Sequence, residues 1–138
     1  MKLLSTLLLC ALCYIILTSG ACAKKQERTD CPPNTPCTMM FASVSVNITD
    51  EKGEPVTFSE IYTLRKSTGE ILTYMHPAIE HSYIVVDDSY QKNLVNQTDT
   101  FQLIGKKDGE IIMNEPFVIS ADCCHINKLS GKSEIILP

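Results

Sequence analysis

The hydrophobic pattern of the chain changes twice, and each stretch predicts a different kind of segment. Residues 3–18 are almost wholly apolar. Residues 23–37 are polar and contain three prolines with no apolar period, which is typical of a linker. From residue 39 onward apolar and polar residues alternate, and a period of two indicates half-buried β-strands. The folded part of the chain should therefore begin near residue 38.

The alternating part predicts six or seven short strands. The first runs for about ten residues from Met39 and places one set of side chains on one face: Met40, Ala42, Val44, Val46 and Ile48. Further strands are expected at residues 58–66, 71–75, 82–86, 100–104, 110–120 and 133–137, with an interruption near Pro116 and a helical turn over residues 87–95. Without a helix of ordinary length, this pattern predicts an all-β fold, an antiparallel β-sandwich of about seven strands.

The apolar start has the composition of a cleaved export signal. Lys2 supplies the positive charge before the apolar run, and small residues follow it at Ser19-Gly20-Ala21. The run is close to the lower length limit of a membrane-spanning helix, but it begins at residue 3 and leads directly into small and polar residues. We therefore predict a signal peptide over residues 1–21, a tether over residues 22–37 and one β-sandwich domain over residues 38–138.

Ser19-Gly20-Ala21-Cys22 resembles the lipobox of bacterial lipoproteins. In that class the cysteine is diacylated, with fatty acids such as palmitate, and becomes the mature N-terminus. The resemblance implies lipidation at Cys22 and anchoring of an exported protein in the bacterial cell envelope, with the outer membrane as the expected location. Ala21-Cys22-Ala23 also fits an ordinary secretory cleavage site, so an unlipidated product remains the alternative.

Four cysteines remain after Cys22, and their even number predicts two disulfides in an oxidising compartment. A bridge between the adjacent Cys123 and Cys124 would close a strained eight-membered ring. The favoured pattern therefore joins Cys31 and Cys37 to Cys123 and Cys124, with both crossed pairings open. If the two adjacent cysteines lie on a strand, their side chains point to opposite faces, which favours two separate bridges.

Asp122-Cys123-Cys124-His125 is the densest chemical cluster of the chain. In an alternative interpretation, Cys123, Cys124 and His125 bind a soft ion such as copper or zinc, completed by one of the other histidines, His76 or His81, or by the Met39-Met40 pair. The C-x-x-C spacing of structural zinc sites and thiol oxidoreductases is missing. Structural disulfides are therefore the first prediction, and no cofactor is expected.

Residues 46–56, with the elements Asp50, Gly53, Pro55 and Val56, resemble the opening of carboxypeptidase-regulatory-like and transthyretin-like domains. The resemblance covers about 30 residues and implies a transthyretin-like or Ig-like sandwich. The whole arrangement, with paired cysteines at both ends, also resembles small uncharacterised lipoproteins of Bacteroidota. That likeness implies location and fold but no activity.

Charge and motifs narrow the function classes. Removal of Lys2 with the signal leaves 11 basic and 16 acidic residues, a formal charge of −5, with no basic cluster for nucleic acid. The chain has no Gly-x-Ser-x-Gly or H-E-x-x-H motif, so we expect no enzyme. We predict a membrane-anchored envelope lipoprotein with a non-catalytic binding or structural domain. Its partners are the membrane, through the lipid, and an unidentified envelope protein or glycan that contacts the loops at residues 76–81 and 87–98.

Overall fold

A computed structural model describes residues 31–74 and 81–138 of the chain. Its strands are β1 (Ser43–Asp50), β2 (Glu60–Arg65), β3 (Ile71–Leu72), β4 (Ser82–Asp87), β5 (Gln97–Lys107), β6 (Glu110–Ala121), β7 (Ile126–Ser130) and β8 (Glu134–Leu137). A 3-10 helix, Asp88–Asn93, connects β4 to β5. The predicted signal peptide and Cys22 lie outside the described residues.

The strands form two sheets, which confirms the predicted all-β sandwich. The smaller sheet has the order β4-β1-β8, and the larger has the order β3-β2-β5-β6-β7. Among these eight strands, β1 pairs with β8 in parallel, and every other pairing is antiparallel. The described residues form eight strands, where about seven were expected.

One hydrophobic core joins the two sheets. Val44, Val46 and Ile48 of β1 are buried, as their alternation predicts, and they share the core with residues of the large sheet. Those residues include Phe101, Leu103, Phe117 and Ile119, each fully buried. Gly131, after β7, has a φ of +126°, and a β-carbon there would overlap the ring of Phe117.

Strand limits differ from the sequence prediction where the alternation is weak. Strand β7 was not predicted, because only its first residue, Ile126, is buried and the next four are exposed. Strand β1 begins at Ser43 and not at Met39, so Met40 is exposed although it continues the apolar period. Strand β6 is not interrupted at Pro116, since β7 pairs with β6 only from Val118 onward and leaves one side of β6 open there.

The predicted helical turn is present as the 3-10 helix. Asp87 is its N-cap, and its side chain accepts a hydrogen bond from the Ser89 N–H at 3.0 Å. Tyr90 and Leu94 bury their side chains in the core. The segment at residues 87–98, expected as a polar loop, is therefore partly packed, with Lys92 and Asn93 among its exposed residues.

The long strands give the sandwich two distinct ends. The start of β1, the 3-10 helix and the β6–β7 turn meet at one end, which we call the stapled end. The β5–β6 hairpin and the last residue of β1, Asp50, meet at the other, which we call the hairpin end. Strand β5 alone has 11 residues, so the ends are separated by about 30 Å.

Candidate functional site

Two disulfides connect the segment before β1 to the turn between β6 and β7. Cys31 pairs with Cys123 and Cys37 with Cys124, with Cα–Cα distances of 5.5 and 5.3 Å. These are the predicted long-range disulfides, and the structure selects one of the two crossed pairings. Residues 31–37 of the predicted tether are thereby attached to the domain, and the two disulfides fit an exported protein.

The adjacent cysteines lie in a tight turn and not on a strand, so the argument from opposite faces of a strand does not apply to them. Strand β6 ends at Ala121, and β7 begins at Ile126. Asp122 shapes the turn, because its Oδ1 accepts hydrogen bonds from the N–H groups of Cys124 at 2.7 Å and His125 at 2.8 Å. These two N–H groups lower the pKa of the Asp122 carboxyl below its ordinary value. The turn directs both cysteines towards the segment that precedes β1.

His125 connects three segments at the stapled end. Its Nδ1 lies 2.7 Å from Asp88 Oδ2, and its Nε2 lies 2.8 Å from Thr38 Oγ1. Because a carboxylate only accepts, Nδ1 carries the proton, and in the neutral ring Nε2 accepts from the threonine hydroxyl. A residue before β1, the β6–β7 turn and the 3-10 helix are thus held in one hydrogen-bonded row.

Asp88 is the centre of this arrangement, and its side chain is only 9% exposed. Oδ2 also accepts from the Ala42 N–H at 2.7 Å, and Oδ1 accepts from the Ile126 N–H at 2.9 Å. Burial acts to raise the pKa of the Asp88 carboxyl, but these N–H groups and His125 outweigh it and lower the pKa overall. Asp88 is therefore an ionised, fully hydrogen-bonded carboxylate.

The row Thr38–His125–Asp88 has the order of a nucleophile, a base and an orienting carboxylate. The same residues also hold both ends of one short segment, residues 39–41. Thr38 precedes this segment and bonds to His125, and Ala42 follows it and bonds to Asp88. The backbone adds a further bond from the Asp88 N–H to the Ala42 carbonyl at 3.0 Å. The row therefore clamps residues 38–42 onto the domain.

The alternative metal ligands are separated or already bonded. Both Cys123 and Cys124 contribute their sulfur atoms to disulfides, and His125 bonds to Asp88 and Thr38. His76 lies outside the described residues, whereas His81 is described and has a φ of +72°. Within residues 31–74 and 81–138, no three His, Cys, Asp or Glu side chains come together in a way that holds a metal ion.

A second polar cluster lies at the β2–β5 pair. Arg65 Nε lies 2.5 Å from Asp99 Oδ2, with both side chains about one-tenth exposed, and the guanidinium also donates to Tyr90 Oη at 3.2 Å. Burial acts to raise the pKa of the Asp99 carboxyl, but bonds from Ser67 and Arg65 outweigh it and lower the pKa. This buried ion pair is internally satisfied, which suits a structural role.

The hairpin end carries an open cleft of about 540 Å³. Its walls come from the last residue of β1, the segment after it, the β5–β6 hairpin and β8, and they include Asp50, Pro55, Val56, Lys107, Ile112 and Leu137. The lining combines an apolar wall with one acidic and one basic side chain. A smaller pocket of about 220 Å³ lies at the stapled end beside Thr38, Phe41 and His125.

Sequence reasoning identified the cysteines and His125 but missed Thr38 and Asp88 as partners. They lie 87 and 37 residues from His125, and no local pattern connects them.

Among the residues that the structure describes, no helix is long and apolar enough to cross a membrane. Comparison of the chain with family models, with curated proteins and with solved structures found no match.

Proposed function

We propose that the chain is an exported envelope lipoprotein, anchored through Cys22, whose β-sandwich is a non-catalytic binding module. The main support for the proposal is the position of the two disulfides. They attach the tether to one end of the sandwich, while the 540 Å³ cleft opens at the other end. An anchored domain of this shape presents its cleft away from the membrane that holds it.

The resemblance to lipoproteins and to carboxypeptidase-regulatory-like domains supports this proposal at the sequence level. A diacylated Cys22 supplies two fatty chains, which suffice for stable anchoring where one chain binds only weakly. Location in the outer membrane is part of the proposal. The partner is an envelope protein or glycan, and the mixed lining of the cleft suits a segment with an apolar side chain between polar groups.

Site-specific photocrosslinking in cells tests the binding role. A photoreactive amino acid replaces Ile112 in the cleft wall, and a matched variant carries it at Leu129 on β7, which is also exposed. We expect a discrete crosslinked product from position 112 that Lys107→Glu in the same chain weakens. Equal products from both positions, or none from position 112, would contradict a binding role of the cleft.

Copper or zinc binding by Cys123, Cys124 and His125 is the second candidate. It requires reduced sulfur atoms, whereas both cysteines are paired in the structure. Thiol titration of the protein from its native compartment separates the two functions. We expect no free thiol before reduction, and free thiols together with a bound metal would favour the metal protein.

The Thr38–His125–Asp88 row makes acyl transfer the third candidate. In the proposed function these three residues hold residues 38–42 on the domain and catalyse no reaction. Incubation with a fluorophosphonate probe and with p-nitrophenyl acetate tests this, with Thr38→Val as the control. We expect no labelling of Thr38 and equal background hydrolysis by both proteins, and a covalent adduct on Thr38 would show that the domain is an enzyme.

A further inference from the structure

The stapled end carries three consecutive exposed apolar side chains. Met39, Met40 and Phe41 are 104%, 78% and 68% exposed, between Thr38 and Ala42. Proteins rarely place a contiguous apolar group of this kind in water without a partner. Single exposed apolar side chains are common on protein surfaces, whereas these three follow one another in the chain.

The backbone of this apolar group is fixed from both sides. Before it, the Cys37–Cys124 disulfide and the Thr38–His125 hydrogen bond hold the chain. After it, Ala42 bonds to Asp88 through its N–H and its carbonyl. The segment is therefore a short loop whose two ends are fixed to the domain and whose apolar side chains are exposed.

The disulfides also set the distance between this loop and the predicted lipid. Cys31 is bonded to Cys123, so only nine peptide steps separate Cys22 from a point fixed to the domain, and they span at most about 30 Å. Without the disulfides the free chain would run to Thr38, where the hydrogen bond to His125 holds it, and span up to about 55 Å. The disulfides thus keep the stapled end close to whatever holds Cys22.

We infer that residues 39–41 contact the lipid bilayer and seat the stapled end on the membrane surface. The inference rests on the proposed lipid anchor at Cys22 and adds a second, weaker contact to it. Phenylalanine is among the apolar residues that interfacial segments bury at the boundary between headgroups and acyl chains, and the methionine side chain is apolar and flexible enough to follow it. A seated stapled end fixes the cleft at about the length of the sandwich, roughly 30 Å, above the membrane.

Tryptophan fluorescence tests this contact, because the chain contains no native tryptophan. The reporter variant is Phe41→Trp, and the matched control is Ile136→Trp on β8, where the native side chain is similarly exposed at 61%. Both are produced as the full lipidated protein and reconstituted in vesicles of phosphatidylethanolamine and phosphatidylglycerol. A second vesicle preparation contains phosphatidylcholine with brominated acyl chains, which quenches only fluorophores that reach them.

We expect the reporter at position 41 to shift its emission to shorter wavelength and to be quenched about twofold by brominated lipid. The reporter at position 136 should keep the emission it has in buffer. Met39→Ser with Met40→Ser, added to the Phe41→Trp chain, should reduce the quenching at position 41. Intact mass and flotation of each sample establish acylation at Cys22 and vesicle attachment, and mass before and after reduction establishes both disulfides.

Three results would overturn the inference. Acylated, vesicle-attached protein with no quenching at position 41 would show that the anchor exists and that residues 39–41 do not contact the bilayer, which leaves another partner, such as a protein, for them. Equal quenching at positions 41 and 136 would show a domain without a fixed membrane-facing end. A protein without acyl mass at Cys22 would instead refute the anchor itself and, with it, the contact.

Discussion

The two disulfides should stabilise the domain in a strongly non-additive way, because the two long loops that they close overlap almost completely. Each alone closes a long loop, with sequence separations of 92 and 87 residues. Once either is present, the other closes only a small ring. That ring contains the seven residues from Cys31 to Cys37 and the adjacent pair Cys123 and Cys124. The relevant perturbations are the paired serine substitutions Cys31→Ser/Cys123→Ser and Cys37→Ser/Cys124→Ser, and all four together.

The chain-entropy relation gives the magnitudes. The first disulfide to form contributes about 4.6 kcal/mol through its long loop, and the second contributes only about 2.5 kcal/mol through a ring of about nine residues. Removal of either disulfide alone should therefore cost about 2.5 kcal/mol, and removal of both about 7 kcal/mol. The coupling between the two is about 2 kcal/mol, and the full loss is comparable to the entire stability of a small domain.

Urea unfolding of the oxidised native protein and the three variants, followed by tyrosine fluorescence and circular dichroism, measures these free energies. The same unfolding under reducing conditions provides the control, because reduction should bring all four proteins to the stability of the quadruple variant. Losses of 4 to 5 kcal/mol for each single removal that simply add would show that the overlap of the two loops does not couple the disulfides. Negligible losses would show that the reduced chain is already constrained.

Three further perturbations test other parts of the structure. Because the pKa of Asp88 is lowered in the folded state, its contribution to stability is complete above the unfolded pKa of about 3.9 and is lost as pH falls through the folded pKa. Asp88→Asn should remove this part of the pH dependence of the unfolding free energy, as measured by urea unfolding at pH 2 to 6. Asp99→Ala leaves Arg65 buried without its partner and should cost about 3 kcal/mol by the same assay, and a change near zero would contradict a buried ion pair. Gly131→Ala should lower the melting temperature more than Gly53→Ala, because both glycines have positive φ but only the first has a ring in the way; equal losses would refute the packing around Phe117.

The sequence predicted the fold class because a period of two is a direct consequence of a strand with one buried face. It placed Val44, Val46 and Ile48 in the core correctly. It missed β7, whose only buried residue is its first, Ile126, so no alternation exists to detect. The parallel pairing of β1 with β8 was also not predicted, since it depends on residues about 87 positions apart.

Prediction of the candidate site succeeded where chemistry is local and failed where it depends on tertiary contacts. The even number of cysteines and the strain of a bridge between adjacent cysteines indicated the two long-range disulfides. Local composition could not choose between the crossed pairings, because both join the same two segments. Asp88 was expected only in a helical turn, and its contact with His125 depends on the packing of the 3-10 helix against the β6–β7 turn. The cleft likewise combines segments from across the chain.

The most direct test of a stapled, lipid-anchored protein is intact-mass analysis of the chain purified from native membranes, with alkylation before and after reduction. We predict a mature chain that begins at Cys22, carries the mass of its acyl groups, and takes up four alkyl groups only after reduction. An unacylated chain that begins after residue 22 or 23 would contradict the anchor. Alkylation of Cys123 or Cys124 before reduction would contradict the disulfides that fix the stapled end.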